Sequence, residues 1–209
     1  VDLVLGVSVT SAALRFVLVE GATGDGATVD SGTLAMPVTG ESVDALVNAV
    51  LGEGPYAAAP GQRPVTVGVT WTDAGADQAT GLLTALTARG VQNVVALSPA
   101  ESAAALAAGL GDLAAQTDVT LCVVEPDAAL VAVVTADTVH VDHHPADGAA
   151  ALADRVRETD SHPETVYVLG SGPDVDAVVA ALTGQMAAPV VSAAEADLAL
   201  ARGAALAAA

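Results

Sequence analysis

Three stretches carry residue types whose spacing could do chemistry. The first, "TVYVLGSGPDVDAVVAAL" (165–182), passes from an apolar run through Leu169-Gly170-Ser171-Gly172 into a helical pattern. Such a turn can cradle a nucleotide, since glycines let backbone approach a ligand and the following helix start favours anions. It can equally be a plain strand-to-helix connection. The second stretch, "HVDHH", puts His140, Asp142 and His144 on one face of a strand, a row with the ligand types of a Zn²⁺ site. No fourth ligand is evident, so a solvated strand end is the expected reading and no metal is assigned. The third is Cys122, alone inside "VTLCVVE". It reads as a buried reduced thiol, without a disulfide framework and compatible with a reducing compartment, the cytoplasm. Ser171 sits in L-G-S-G-P rather than in the G-x-S-x-G of a nucleophile elbow, so no catalytic residue is assigned.

The elements that must position these residues are built from an unusual palette. Hydrophobic residues make up 53% of the 209 and aromatics only 2%, so the core must consist of Val, Leu and Ala. Mean hydropathy is +0.57. Even so, no apolar run reaches the ~18 residues that a membrane span needs. The chain opens on Val1-Asp2 directly into a strand pattern, which reads as no signal peptide and as a trimmed start or an excised domain. The formal charge is −19, from 25 acidic residues against six Arg and no Lys. Such a surface repels nucleic acid and anionic membranes, and disfavours a triphosphate unless a metal ion or local dipoles compensate.

Along the chain, "DLVLGV", "ALRFVLVE" and about 27–35 read as three strands, with a Gly-rich hairpin connection between the last two. Glu41-Ser42 opens a helix carrying Val43, Leu46, Val47 and Val50 at helical spacing. "VTVGVT" is a strand, Asp73 to Arg89 a helix, "NVVALS" a strand and "PAESAAALAAGLGDL" an Ala-rich helix. After Gln116 the order begins again: "VTLCVVE", "ALVAVVTA" and "TVHVDHH", a helix from Ala149 to Glu158, "TVYVLG", a helix, "PVVS", and a last helix from Glu195 to Ala208. The repeat shows in residues too. Ser98, Ala100, Glu101, Leu106, Ala107 and Gly109 match Ser192, Ala194, Glu195, Leu200, Ala201 and Gly203. Glu101 and Glu195 each read as a carboxylate placed at a helix start to suit its dipole.

A duplicated three-strand unit with alternating helices resembles the actin, Hsp70 and sugar-kinase superfamily, over nearly the whole chain. "PVTVGVTWTDAGADQATGLLTALTARGVQNVVALSPAESAAALAAG" and "EADLALARGAALAAA" look like Hsp70 segments, and "VYVLGSGPDVDAVVAAL" looks like the superfamily's adenosine motif. More closely, "VLGVSVTSAALRFVLVEG", "GVTWTD" and "ALARGAALAAA" resemble a family of actinobacterial proteins with an actin-like ATPase domain of no established activity. The resemblance implies an α/β fold, a duplicated ribonuclease H-like βββαβαβα unit in a minimal two-lobed form. The lobes expected are 1–115 and 116–209.

In active members of that superfamily, phosphates lie between two hairpin turns that offer backbone N–H groups and carboxylates. The resemblance places the first motif's Asp at Ser8 and its Gly at Thr10, and neither is kept. Ser8, Thr10 and Ser11 retain hydroxyls that could donate to phosphate, or could satisfy the turn itself. The second motif's Asp falls on Glu125 and its Gly on Asp127. Those carboxylates could hold Mg²⁺ through water, although Pro126 offers no N–H. Gly170, Ser171 and Gly172 would take the nucleoside. Two functions follow as expectations. One is a degenerate pseudo-ATPase without cofactor, an interaction or regulatory module for a protein partner. The other is a Mg-ATP-binding ATPase or switch.

Overall fold

The computed structural model describes residues 2–36, 43–44, 47–48, 66–159 and 161–209. The helix expected from Glu41 lies mostly outside these, but 43–44 and 47–48 are helical. The chain divides into two compact units, one of residues 1–98 with 201–209 and the other of 99–200.

The first unit holds β1 (Leu3–Val9), β2 (Ala13–Glu20), β3 (Thr28–Ala35), β4 (Thr66–Trp71) and β5 (Val94–Leu97) in the sheet order β3-β2-β1-β4-β5. β1 pairs antiparallel with β2 and β2 with β3, while β4 joins β1, and β5 joins β4, in parallel. Every residue of the central β1 is buried, as expected of a strand covered on both faces. Odd-numbered Leu3, Leu5, Val7 and Val9 pack with Phe16, Val69 and with Leu82 and Leu86 of α1 (Ala76–Ala88). A fully buried Leu of this kind contributes about 1.5–3 kcal/mol.

The second unit repeats the plan. β6 (Val119–Val124), β7 (Ala129–Val134), β8 (Val139–His144), β9 (Thr165–Leu169) and β10 (Val190–Val191) run in the order β10-β9-β6-β7-β8. Three strands are again antiparallel neighbours and two are added in parallel. Cys122, Val131 and Val168 pack with Leu152 and Val156 of α3 (Ala149–Glu158) and with Val178 and Leu182 of α4 (Val175–Leu182). The expected strand–strand–strand–helix–strand–helix–strand–helix order therefore holds in this half throughout.

The contacts draw the line between units elsewhere than the expected 115/116. α2 (Pro99–Ala114) follows β5 in sequence but packs on β6, β7 and β8. α5 (Ala199–Ala208) follows β10, yet its Ala201 and Ala205 pack with Val4, Val17 and Val19 of the first sheet. A sequence repeat records the order of elements and carries no term for which sheet a helix covers. α5 seats so closely that a Cβ at Gly6 would land on the carbonyl oxygen of Ala201, and one at Gly68 on that of Ala204. Glycine at both positions lets helix backbone rest on sheet backbone. Arg202 on the same helix donates to Thr28 Oγ1 at 3.3 Å and to the Gly26 carbonyl, fastening α5 to the β2–β3 hairpin.

Gly6→Ala is expected to destabilise the protein by about 1–3 kcal/mol through overpacking against backbone that cannot give way. Urea denaturation of the variant beside Gly81→Ala, whose added Cβ meets nothing within 4 Å, measures this. Equal midpoints would contradict the seat.

Candidate functional site

The first hairpin is closed by Thr10, whose N–H donates to the Ala13 carbonyl at 3.0 Å. Its hydroxyl is spent on the same turn. Oγ1 donates to Ala13 O at 3.2 Å and accepts the N–H groups of Ala12 and Ala13 at 3.4 and 3.3 Å. Thr10 is 1% exposed and Ser8 2%, whereas Ser11 is exposed. Ser8 lies opposite Arg15 on β2 and Thr70 on β4, and Arg15 lies opposite Thr33 on β3. Register neighbours share a face, so these four side chains form one polar row across the sheet. The Thr70 hydroxyl is fully buried without a hydrogen-bond partner, and the Arg15 Nε and Nη1 atoms are buried as well. Sequence reasoning passed over Arg15 and Thr70. The available signal was a guanidinium, one of six, inside "ALRFVLVE", which is apolar but for it and the terminal Glu20.

The second hairpin closes in the same way, with the Glu125 N–H donating to the Ala128 carbonyl at 2.8 Å. By closure Glu125 is therefore the counterpart of Thr10, whereas motif spacing had matched it to Ser8. Its carboxylate is buried, the residue being 2% exposed, and its Oε2 accepts the Ser171 hydroxyl. The structure thus brings together two motifs that lie 46 residues apart in sequence. Asp127 stands half-buried beside them on the turn.

The glycines of Leu169-Gly170-Ser171-Gly172 have a local cause. Gly170 has φ +125° and would drive a Cβ into the backbone of Val124. A Cβ at Gly172 would lie 2.9 Å from the Glu125 carbonyl oxygen. The Gly172 N–H donates to Val124 O, and the Gly170 N–H to Ala196 O, each at 2.8 Å. Close packing of this turn on the end of β6 accounts for both glycines without a ligand.

Beside Glu125 is a pocket of about 60 Å³ bordered by Val124, Leu152, Asp147 and Asp174. Asp174 stands at the N-cap of α4, where a carboxylate suits the helix dipole. Asp147 pairs with Arg155 at 3.2 Å. The lining holds three carboxylates and no cation.

On β8, His140 Nε2 lies 3.1 Å from Asp142 Oδ1, both side chains more than half exposed. Among the described residues no group of three or more His, Cys, Asp or Glu is placed to hold a metal ion. Glu101 occupies the first turn of α2 as expected. Glu195 differs. It adopts a left-handed conformation at φ +62° ahead of a short 3-10 turn (Ala196–Leu198) and makes no side-chain cap bond. The second half inserts that turn before its last helix, so the sequence match does not carry over to a shared capping geometry. Cys122 is buried, as expected, and burial pushes its thiol up to about 12. Among the described residues no helix is long and apolar enough to cross a membrane.

Two measurements check this description. An aromatic disulfide reagent at about pH 8 should leave Cys122 unlabelled in native protein and label it at the rate of unfolding, since the buried thiol is neither accessible nor ionised. Prompt labelling without denaturant would contradict its burial. His144 is held below its ordinary 6.5 by burial first, then by Arg155 and His143, with Asp142 and Asp147 opposing. The unfolded chain then binds that proton more readily, so stability falls as pH drops through the window below 6.5 and is unaffected above it. His144→Asn should narrow the gap between urea midpoints at about pH 7.5 and about pH 5.5. An unchanged gap would show that His144 does not drive it.

No curated protein matches the sequence. Among solved structures, component A of the (R)-2-hydroxyglutaryl-CoA dehydratase of Acidaminococcus fermentans superposes with TM-score 0.70 at 13% identity, covering 99% of this chain and 97% of that one. The inorganic polyphosphate/ATP-glucomannokinase of Arthrobacter sp. strain KM gives 0.65 at 17% identity, over 99% and 98%. The activator of the 2-hydroxyisocaproyl-CoA dehydratase of Clostridium difficile, seen with bound ADPNP, gives 0.63 at 12% identity, over 98% and 93%. At such identities the likeness concerns the fold, which is that of the actin-like ATPase superfamily in a minimal two-lobed form. A family model matches residues 2–209, and the chain belongs to that family, a family of unknown function (DUF7159).

Proposed function

We propose that this protein is a pseudo-ATPase, an actin-like fold that has given up phosphate chemistry and serves as an interaction or regulatory module for a protein partner. The observation that carries this reading is the internal use of both hairpin groups. The Thr10 hydroxyl is consumed by its own turn, and the buried Glu125 carboxylate accepts the Ser171 hydroxyl. A phosphate site works when donors and a metal-holding carboxylate are aimed in advance at the charge to be stabilised. Here those groups are aimed at the protein. The pocket beside Glu125 adds to the support, because its lining acids outnumber the one arginine paired with them, Arg155, and so disfavour a polyphosphate. The lone buried Cys122 suits a reducing compartment, the cytoplasm.

A second reading, Mg-ATP binding by Ser8, Thr10, Ser11, Glu125, Asp127 and Gly170 to Gly172, draws support from one feature of the first sheet. Arg15 and the unpartnered Thr70 hydroxyl share the face of Ser8 and have the chemistry to meet an anion. Its other motive is the C. difficile activator, a fold relative seen with ADPNP.

Thermal melts with millimolar Mg-ATP separate the two. A ligand at 100 times its Kd stabilises by about 2.7 kcal/mol, an easily read shift. The pseudo-ATPase reading expects no shift and no phosphate release. A shift that Gly172→Arg abolishes would overturn it. In the second reading Arg15→Ala weakens nucleotide binding at least tenfold by calorimetry; equal affinity in wild type and variant would remove Arg15 from that role.

A further inference from the structure

We draw no further inference here: the strongest candidate, the side-chain row of Ser8, Arg15 and the buried, unpartnered Thr70 hydroxyl across the first sheet, belongs to the site already described.

Discussion

The structure depends on backbone meeting backbone. With aromatics at 2%, bulky side chains are scarce as spacers between layers, and the interior closes by bringing small-residue helices down onto sheets. The seat of α5 is the clearest case, with the Ala201 and Ala204 carbonyls lying where Gly6 and Gly68 would carry side chains. Close approach of this kind multiplies weak dispersion contacts. It also leaves little tolerance, because the atoms in the way are peptide groups rather than rotatable side chains. The Gly170–Gly172 turn applies the same device at the end of β6, and that contact delivers Ser171 to Glu125.

Electrostatics set the character of the candidate site. A chain at −19 has few cations to commit, and Arg15 is placed inside a sheet, in register with Ser8. In the second unit the acids are already provided for. Ser171 donates to Glu125, Arg155 pairs with Asp147, and the start of α4 suits Asp174. A carboxylate already given a donor within the protein has less to gain from an external cation. The hairpins keep the fold's geometry while their polar groups serve the protein's own stability, and on this the proposed loss of phosphate chemistry rests.

The architecture was largely legible. Apolar strands alternating with 3.6-period helices, and the same order met twice, led to the duplicated unit, and strand limits fell within a residue or two of those expected for most elements. Legibility was lower at the site. The resemblance sets the motif aspartates at Ser8 and Glu125, whereas closure of two turns of equal length pairs Glu125 with Thr10, and a pairing across a turn is not written in either strand's pattern. Glu195 looked like Glu101 until the extra 3-10 turn separated them. Arg15 was visible as a charge in an apolar strand, but its neighbours Ser8, Thr70 and Thr33 come from three other strands.

What the amino-acid sequence determined by itself was everything local or periodic: which segments become strands or helices, where glycine and proline interrupt them, and that the plan occurs twice. What only tertiary structure decided was the partner of each element. The assignment of α5 to the first sheet, the meeting of Ser171 with Glu125, and the row joining Arg15 to Thr70 pair residues far apart along the chain, while α2 takes the sheet that follows it rather than the one that precedes it. Local periodicity is written by the alternation of buried and exposed positions within one element. A long-range contact is chosen by shape and charge between two elements, and a single sequence carries no separate record of that choice.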